Sequence, residues 1–431
     1  MSLSGDELFA AGRFDEAMAA YRQILAKDPA DAAARMGLDA ILERARTEQP
    51  NALLRELLLQ AYADDGANWE AVGWGAANQL LVGWPQDNDL AVLAADPLLR
   101  EFLRKSLNRD AALERRLIAL RRAVADALLA AEAPGEAIVA LADALAEQAW
   151  HNEYIWSDDA TVPDGSAAAM FRPSATPRAD VIEERRLAAE IPEIAPIIDA
   201  VSQSVAAMYE ANPYPRWTHL ARRPTVDVRA ALLHDFPHAA PVDFGDGPLQ
   251  VLMPGAGTGQ HPLTVASSYA GAQVTGVDLS RASLAYGKRM ASRHGIANIE
   301  FLRGDILDLA KLGRTFDHAE CVGVLHHMAD PRAGLMAISS VLRPGAFLRL
   351  GLYGEGARTL VVRARRDIEA AKLPATLDGL RDFRRRVMTG QWRRLRGLTE
   401  WEDFWSASLL RDLCFHVQEH RYTVSRVRSF L

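Results

Sequence analysis

Apolar residues recur at three- and four-residue spacing through the first 150 positions, as at Leu113, Leu117, Leu120, Val124 and Leu128. That spacing predicts amphipathic helices packed on one another. Within residues 1–31, Gly5, Gly12, Phe14, Ala17, Tyr21 and Pro29 follow the logic of a close helical hairpin. Small residues let the helices approach, an aromatic fills the gap, and a proline stops the second helix. A hairpin of this kind cannot bury its own apolar face, so it has to pack on the helices that follow.

The pattern changes after residue 156. Ser157–Arg178 holds Pro163, Gly165, Pro173 and Pro177 among small polar residues and predicts a linker over 157–180. Helix resumes near Asp180, is interrupted around Pro192 and Pro196, and ends before Asn212-Pro-Tyr-Pro-Arg-Trp217. From Leu249 short β-like runs alternate with helical ones. Strands are predicted at Leu249–Met253, Gln273–Val277, Ile299–Leu302, Phe316–Val324 and Ala346–Tyr353, with helices at Ala282–His294 and Pro331–Leu342. This alternation predicts an α/β fold with a parallel sheet and right-handed crossovers.

The expected organisation is a helical hairpin over 1–45, a helical domain over 46–156, the linker over 157–180, a linker helix and lid over 181–244, the α/β core over 245–353 and an Arg/Trp-rich helical cap over 354–431. No clear strand pair follows Tyr353, and Thr423–Leu431 reads as a helix that stops abruptly. The expectation is a five-stranded parallel sheet in a chain truncated relative to its relatives, with an open edge to be covered by the cap or a second subunit.

Composition excludes several classes. Of 431 residues, 49% are apolar and 24% charged, which is ordinary for a globular protein. A net charge of −7 argues against a nucleic-acid binder. Cys321 and Cys414 are too few for a disulfide framework or a Cys-based zinc site, and a reducing cytoplasm suits them. No apolar run reaches the length of about 18 residues that a membrane span needs, and the start lacks the pattern of a secretory signal. Arg384-Arg-Arg386 with Arg393, Arg394 and Arg396 beside Trp392 reads as a solvated helix face, or else as a surface for an acidic substrate or for homodimer formation.

Candidate chemistry sits on the loop after the first strand, Val251-Leu-Met-Pro-Gly255-Ala-Gly257-Thr-Gly259. Glycines permit a tight turn and let a ligand lie on the backbone. Asp278 ends the second strand, where a carboxylate can accept both hydroxyls of a ribose. A dinucleotide loop would need glycine at 260, which is Gln260. The G-x-G-x-G spacing, with Asp278, Gly304-Asp305-Ile306, Phe316-Asp317, Gly323-Val-Leu-His-His327 and Leu342-Arg-Pro-Gly345, resembles the class I S-adenosylmethionine-dependent methyltransferases.

The resemblance implies a Rossmann-like core binding S-adenosyl-L-methionine through Gly255, Ala256, Gly257, Gly259, Asp278, Leu279, Asp305 and Ile306, and releasing S-adenosyl-L-homocysteine. It departs from the family at Met253, where an acid is usual. The pattern in residues 1–31 resembles a tetratricopeptide repeat, although the step to Asn51, Arg55 and Ala63 does not repeat it. Glu147–Tyr154, Tyr209–Trp217 and Phe415–His420 resemble bacterial proteins fusing such repeats to this methyltransferase.

His326 and His327, after the fourth strand, are the candidate general bases, because a neutral imidazole can free an acceptor's lone pair at pH 7. No metal is expected. His261 is a candidate cofactor-side contact, and Tyr209, Asn212, Tyr214, Arg216 and Trp217 are candidates for a lid. The acceptor stays open between a protein or peptide docked by the helical region and a small molecule or glycan. A catalytically silent cofactor-binding interaction protein is the alternative from another class.

Overall fold

The computed structural model describes residues 3–131, 133–156, 165–174, 177–235, 244–245, 247–416 and 418–431. Of the expected linker, residues 157–164 and 175–176 lie outside the described residues, as do 236–243 of the expected lid segment. Two compact units emerge. One contains Met1–Ala175, Trp217–Pro224 and Ala371–Leu410; the other contains Thr176–Arg216, Thr225–Ala370 and Arg411–Leu431. The segment expected as a single C-terminal cap is therefore shared out between the two.

The first unit is helical. Its helices start where Asp or Asn can accept an orphan N–H of the first turn. Asp31, Asn51, Asn68, Asp96 and Asp110 cap the helices Ala32–Arg44, Ala52–Ala63, Trp69–Val82, Pro97–Lys105 and Ala111–Ala130 in this way. In the last of these Leu113, Leu117, Leu120 and Val124 are buried, as their spacing predicts, and Leu128 is half-buried. Tyr21 packs against Gly5 and Gly37, where a Cβ would collide with its ring, and its hydroxyl donates to Asp6 at 2.6 Å. The expected solvated face at 384–386 is corrected: Arg384 is only 1% exposed and pairs with Glu114 at 2.8 Å. It also donates to the Phe404 carbonyl at 3.0 Å.

The second unit is built on five parallel strands: β1 Leu249–Pro254, β2 Ala272–Asp278, β3 Ile299–Arg303, β4 Phe316–Val322 and β5 Leu342–Gly351. They lie in the order β3-β2-β1-β4-β5. Register is set by pairs such as Val251 with Val274, Leu252 with Ala319, Val274 with Ile299 and Ala319 with Leu348. The α/β class and the five parallel strands expected from the sequence are borne out.

Helices pack on both faces of the sheet, and the central strands β1 and β2 are buried on both sides. Leu252, Val277, Ala319 and Cys321 pack with Leu335 and Ile338 of the helix Pro331–Ser340. Val251, Met253 and Val274 pack on the other face with Val265 and Ala266 of the helix Gln260–Ser268. Strand order reverses between β1 and β4, which opens a crevice at their carboxyl ends. Among the described residues no helix is long and apolar enough to cross a membrane.

Candidate functional site

A cavity of about 260 Å³ occupies that crevice in the second unit. Its base is the loop after β1. Gly255, Gly257 and Gly259 all have positive φ, at 74°, 53° and 86°. At Gly255 a Cβ would enter the Val324 side chain, and at Gly257 it would lie 2.8 Å from the Tyr214 carbonyl oxygen. Gly255, Ala256 and Gly257 line the cavity, whereas Gly259 instead packs against Gly287.

Asp278, Leu279, Asp305 and Ile306 line one wall. Asp278 Oδ2 accepts from Gly257 N at 2.8 Å and Oδ1 from Ser280 N at 2.9 Å, so the acid also holds the loop. Burial pushes its pKa up against the pull of these bonds. Asp305 caps the turn Ile306–Leu312, accepting from Leu307 N at 3.0 Å, and still faces the cavity.

The lid candidates divide. Tyr209 and Tyr214 line the cavity. Thr258 N donates to the Tyr214 carbonyl at 3.2 Å and Thr258 Oγ1 to the Pro215 carbonyl, which ties this segment to the glycine loop. Asn212 caps the helix Ala200–Ala211 and donates to the Met208 carbonyl. Neither Asn212 nor Arg216 lines the cavity. Trp217 is buried in the first unit.

The opposite wall separates the two histidines. His326 is fully buried, its ring 3.8 Å from that of Tyr353, and neither ring nitrogen has a hydrogen-bond partner among the described residues. Burial, with His327 and Arg358 adding to it, pushes its pKa down to about 2. His327 lines the cavity. Its Nδ1 lies 2.8 Å from the Gln418 carbonyl, an acceptor, so Nδ1 carries the proton and Nε2 keeps its lone pair. Burial lowers its pKa, with Asp412 opposing.

Sequence reasoning missed the group behind His327. His416 stacks on it at 3.7 Å, and Asp412 accepts from the Tyr209 hydroxyl at 2.6 Å. Asp412 lies within the helix Ala407–Phe415 and His416 directly after it, and no local sequence pattern ties either to His327. One donor atom each from His327, Asp412 and His416 lies within 4.8 Å of the others. Because His416 Nδ1 accepts from Gln418 N at 3.1 Å, its Nε2 carries the proton and would have to lose it to bind a metal.

Glu320 was also missed. It is buried on β4 and takes Tyr269 Oη at 2.8 Å, His261 Nε2 at 3.0 Å, His318 Nε2 at 3.1 Å and Arg349 at 3.2 Å. Burial alone would raise its pKa, but the donated hydrogen bonds outweigh it and hold the carboxyl below the usual range. His261, which lines the cavity, is thereby held by a buried carboxylate.

Residues 251–345 match the family model described as a methyltransferase domain. The chain is 30% identical over 263 residues to an uncharacterized protein of Synechococcus sp., covering 54% of this chain and 58% of that one. It is 34% identical over 128 residues to the tRNA 5-carboxymethoxyuridine methyltransferase of Escherichia coli, covering 29% and 48%. It is 29% identical over 107 residues to the ubiquinone biosynthesis O-methyltransferase of Chromobacterium violaceum, covering 25% and 46%. The chain thus spans at most 58% of the length of these relatives. Among solved structures, PKMT2 from Rickettsia typhi in complex with AdoHcy aligns at 21% identity with a TM-score of 0.35, over 42% of this chain and 38% of that one. Residues 251–345, which hold most of the five-stranded sheet and the loops that line the cavity, are thus similar to a methyltransferase domain.

Proposed function

We propose that this protein transfers a methyl group from S-adenosylmethionine to an acceptor held against His327. The observation that carries the reading is one cavity lined on one side by Asp278 and Asp305 and on the other by an imidazole with a free lone pair. The residues present fit the cofactor. Asp278 has lone pairs left for two ribose hydroxyls after taking two backbone N–H bonds. Asp305 and Ile306 flank the place for the base. Gly255 and Gly257 line the cavity with backbone alone, the places of their Cβ atoms being taken by Val324 and the Tyr214 carbonyl.

Bound there, the cofactor supplies a methyl on a positively charged sulfur. His327 is neutral at pH 7 because burial lowers its pKa. Its Nε2 takes the acceptor's proton, which frees the lone pair that takes the methyl. The Gln418 carbonyl fixes the tautomer, and the His416 ring fixes the plane. Tyr209 and Tyr214 line the site beside His327.

The test is methyl transfer from labelled cofactor into a host lysate, followed by sizing of the labelled product. A large labelled species supports a protein acceptor and a small one a metabolite. Tight cofactor binding with no incorporation would favour the silent interaction protein.

A further inference from the structure

The acceptor end of the cavity has a charge pattern that selects among acceptors. Among the described residues lining the cavity three are carboxylates, Asp278, Asp305 and Asp412, and none is Lys or Arg. Asp278 and Asp305 stand on the cofactor side. Asp412 stands with His327, Tyr209 and Tyr214 at the other end. Its Oδ1 is taken by the Tyr209 hydroxyl, and its Oδ2 has no hydrogen-bond partner among the described residues.

The nearest guanidinium groups are spent elsewhere. Arg358 and Arg365 both pair with the buried Glu419, Arg365 at 3.1 Å. Arg358 also lies 4.0 Å from the ring centroid of Tyr353. Burial raises the Asp412 pKa, with both arginines among the groups that oppose it, and neither guanidinium lines the cavity. An anionic acceptor at that end would meet the Asp412 carboxylate with no cationic side chain lining the cavity. A cation would meet Asp412 Oδ2, the lone pair of His327 Nε2 and two phenol rings, whose faces attract positive charge.

Resting on the methyltransferase reading, we propose that the acceptor is an amine, bound as its ammonium form by Asp412 and the rings of Tyr209 and Tyr214. One N–H of the ammonium points at Asp412 Oδ2 and another at His327 Nε2. His327 removes the second proton. The freed nitrogen pair forms the N–CH3 bond as the C–S bond breaks, and its electrons remain on sulfur. The product is a methylated ammonium that keeps its charge pairing with Asp412, and His327 returns its proton to water.

Two small probes of the same shape test this without knowledge of the acceptor. Choline carries a quaternary ammonium, and 3,3-dimethylbutan-1-ol replaces it with neutral carbon. Each is titrated by calorimetry into the full chain saturated with S-adenosylhomocysteine. Choline should bind about ten-fold tighter. Asp412→Asn should remove most of that difference, and Asp412→Glu should restore part of it. Equal binding of the two probes by the wild type, or tighter binding of the alcohol, overturns the proposal even if Asp412→Asn fails to fold. A preference for choline that survives in folded Asp412→Asn overturns the role of Asp412. If S-adenosylhomocysteine itself does not bind, the methyltransferase reading fails and this one falls with it.

Discussion

Replacing Asp278 with Ala tests two roles at once, because the side chain holds the glycine loop and, on the proposed function, also binds the cofactor ribose. From sequence alone its loss should hardly disturb folding. The structure revises that expectation, since Gly257 N at 2.8 Å and Ser280 N at 2.9 Å both donate to this carboxylate. A hydrogen bond to a charged group contributes about 1.5–3 kcal/mol. The freed N–H groups face a cavity that admits water, and the carboxylate itself costs something to bury, as its raised pKa shows. The expected net loss is about 1–3 kcal/mol of unfolding free energy.

Binding loses more. Two ribose hydroxyls lose a charged acceptor, which corresponds to roughly 10- to 100-fold in affinity. Release of Gly257 N places the result toward the upper end. Asp278→Asn should fall between, since its single carbonyl oxygen can serve one donor while its NH2 confronts the other. Calorimetry with S-adenosylmethionine and chemical denaturation measure the two losses on the same samples. NAD should not bind to any of them, because Gln260 stands where a dinucleotide loop needs its third glycine. Unchanged S-adenosylmethionine affinity in folded Asp278→Ala, or tight NAD binding, would refute the reasoning.

Other expectations are as direct. His327→Asn should lower turnover by roughly 10²- to 10⁴-fold with little change in cofactor affinity, as expected for a lost general base, and equal turnover would remove it from the mechanism. Tyr214→Ala should reduce turnover more than cofactor binding, because its backbone, not its ring, holds Thr258; a loss of folding alone would make it a structural strut. His326, His327 and His416 are all held neutral below their ordinary 6.5, so the unfolded chain takes up their protons first. Stability should be full above pH 6.5 and fall below it, by up to about 1.4 kcal/mol per pH unit for each ring; denaturation midpoints that are flat from pH 7.5 to 5.5 would contradict this. Arg384→Ala strands Glu114 in the interior and should cost about 3–5 kcal/mol, read by denaturation, while Arg384→Met with Glu114→Leu should recover most of it.

The five strands were legible because each is a short apolar run whose neighbours are fixed by local chain order. The observed boundaries at Leu249–Pro254, Ala272–Asp278 and Ile299–Arg303 differ from the expected ones by a residue or so. The strand β4 shows where such reading stops. Its Asp317, His318 and Glu320 look wrong for a strand buried on both faces, and only their partners explain them. Asp317 takes Gln250 N at 2.8 Å and Arg343 at 2.6 Å, and Glu320 takes its four donors from β4 itself, β5, the helix Gln260–Ser268 and Tyr269 just after it.

The same limit applies to the arginine run and to the acceptor pocket. A solvated face is the natural reading of Arg384-Arg-Arg386 because neighbouring positions share a charge. Yet burial of Arg384 depends on Glu114, 270 positions earlier, while Arg385 and Arg386 pair with Asp382 on their own helix. Asp412 likewise joins Tyr209 across 203 positions and comes to lie near His327. Periodicity reports which face of an element is apolar, and a glycine loop reports a backbone close to a ligand. Neither carries information on which distant carboxylate will meet a given base. On the amine reading proposed above, that meeting sets a preference for an ammonium over an anion, and it is supplied by the tertiary pairing of Asp412, Tyr209 and His327 rather than by the glycine-loop motif.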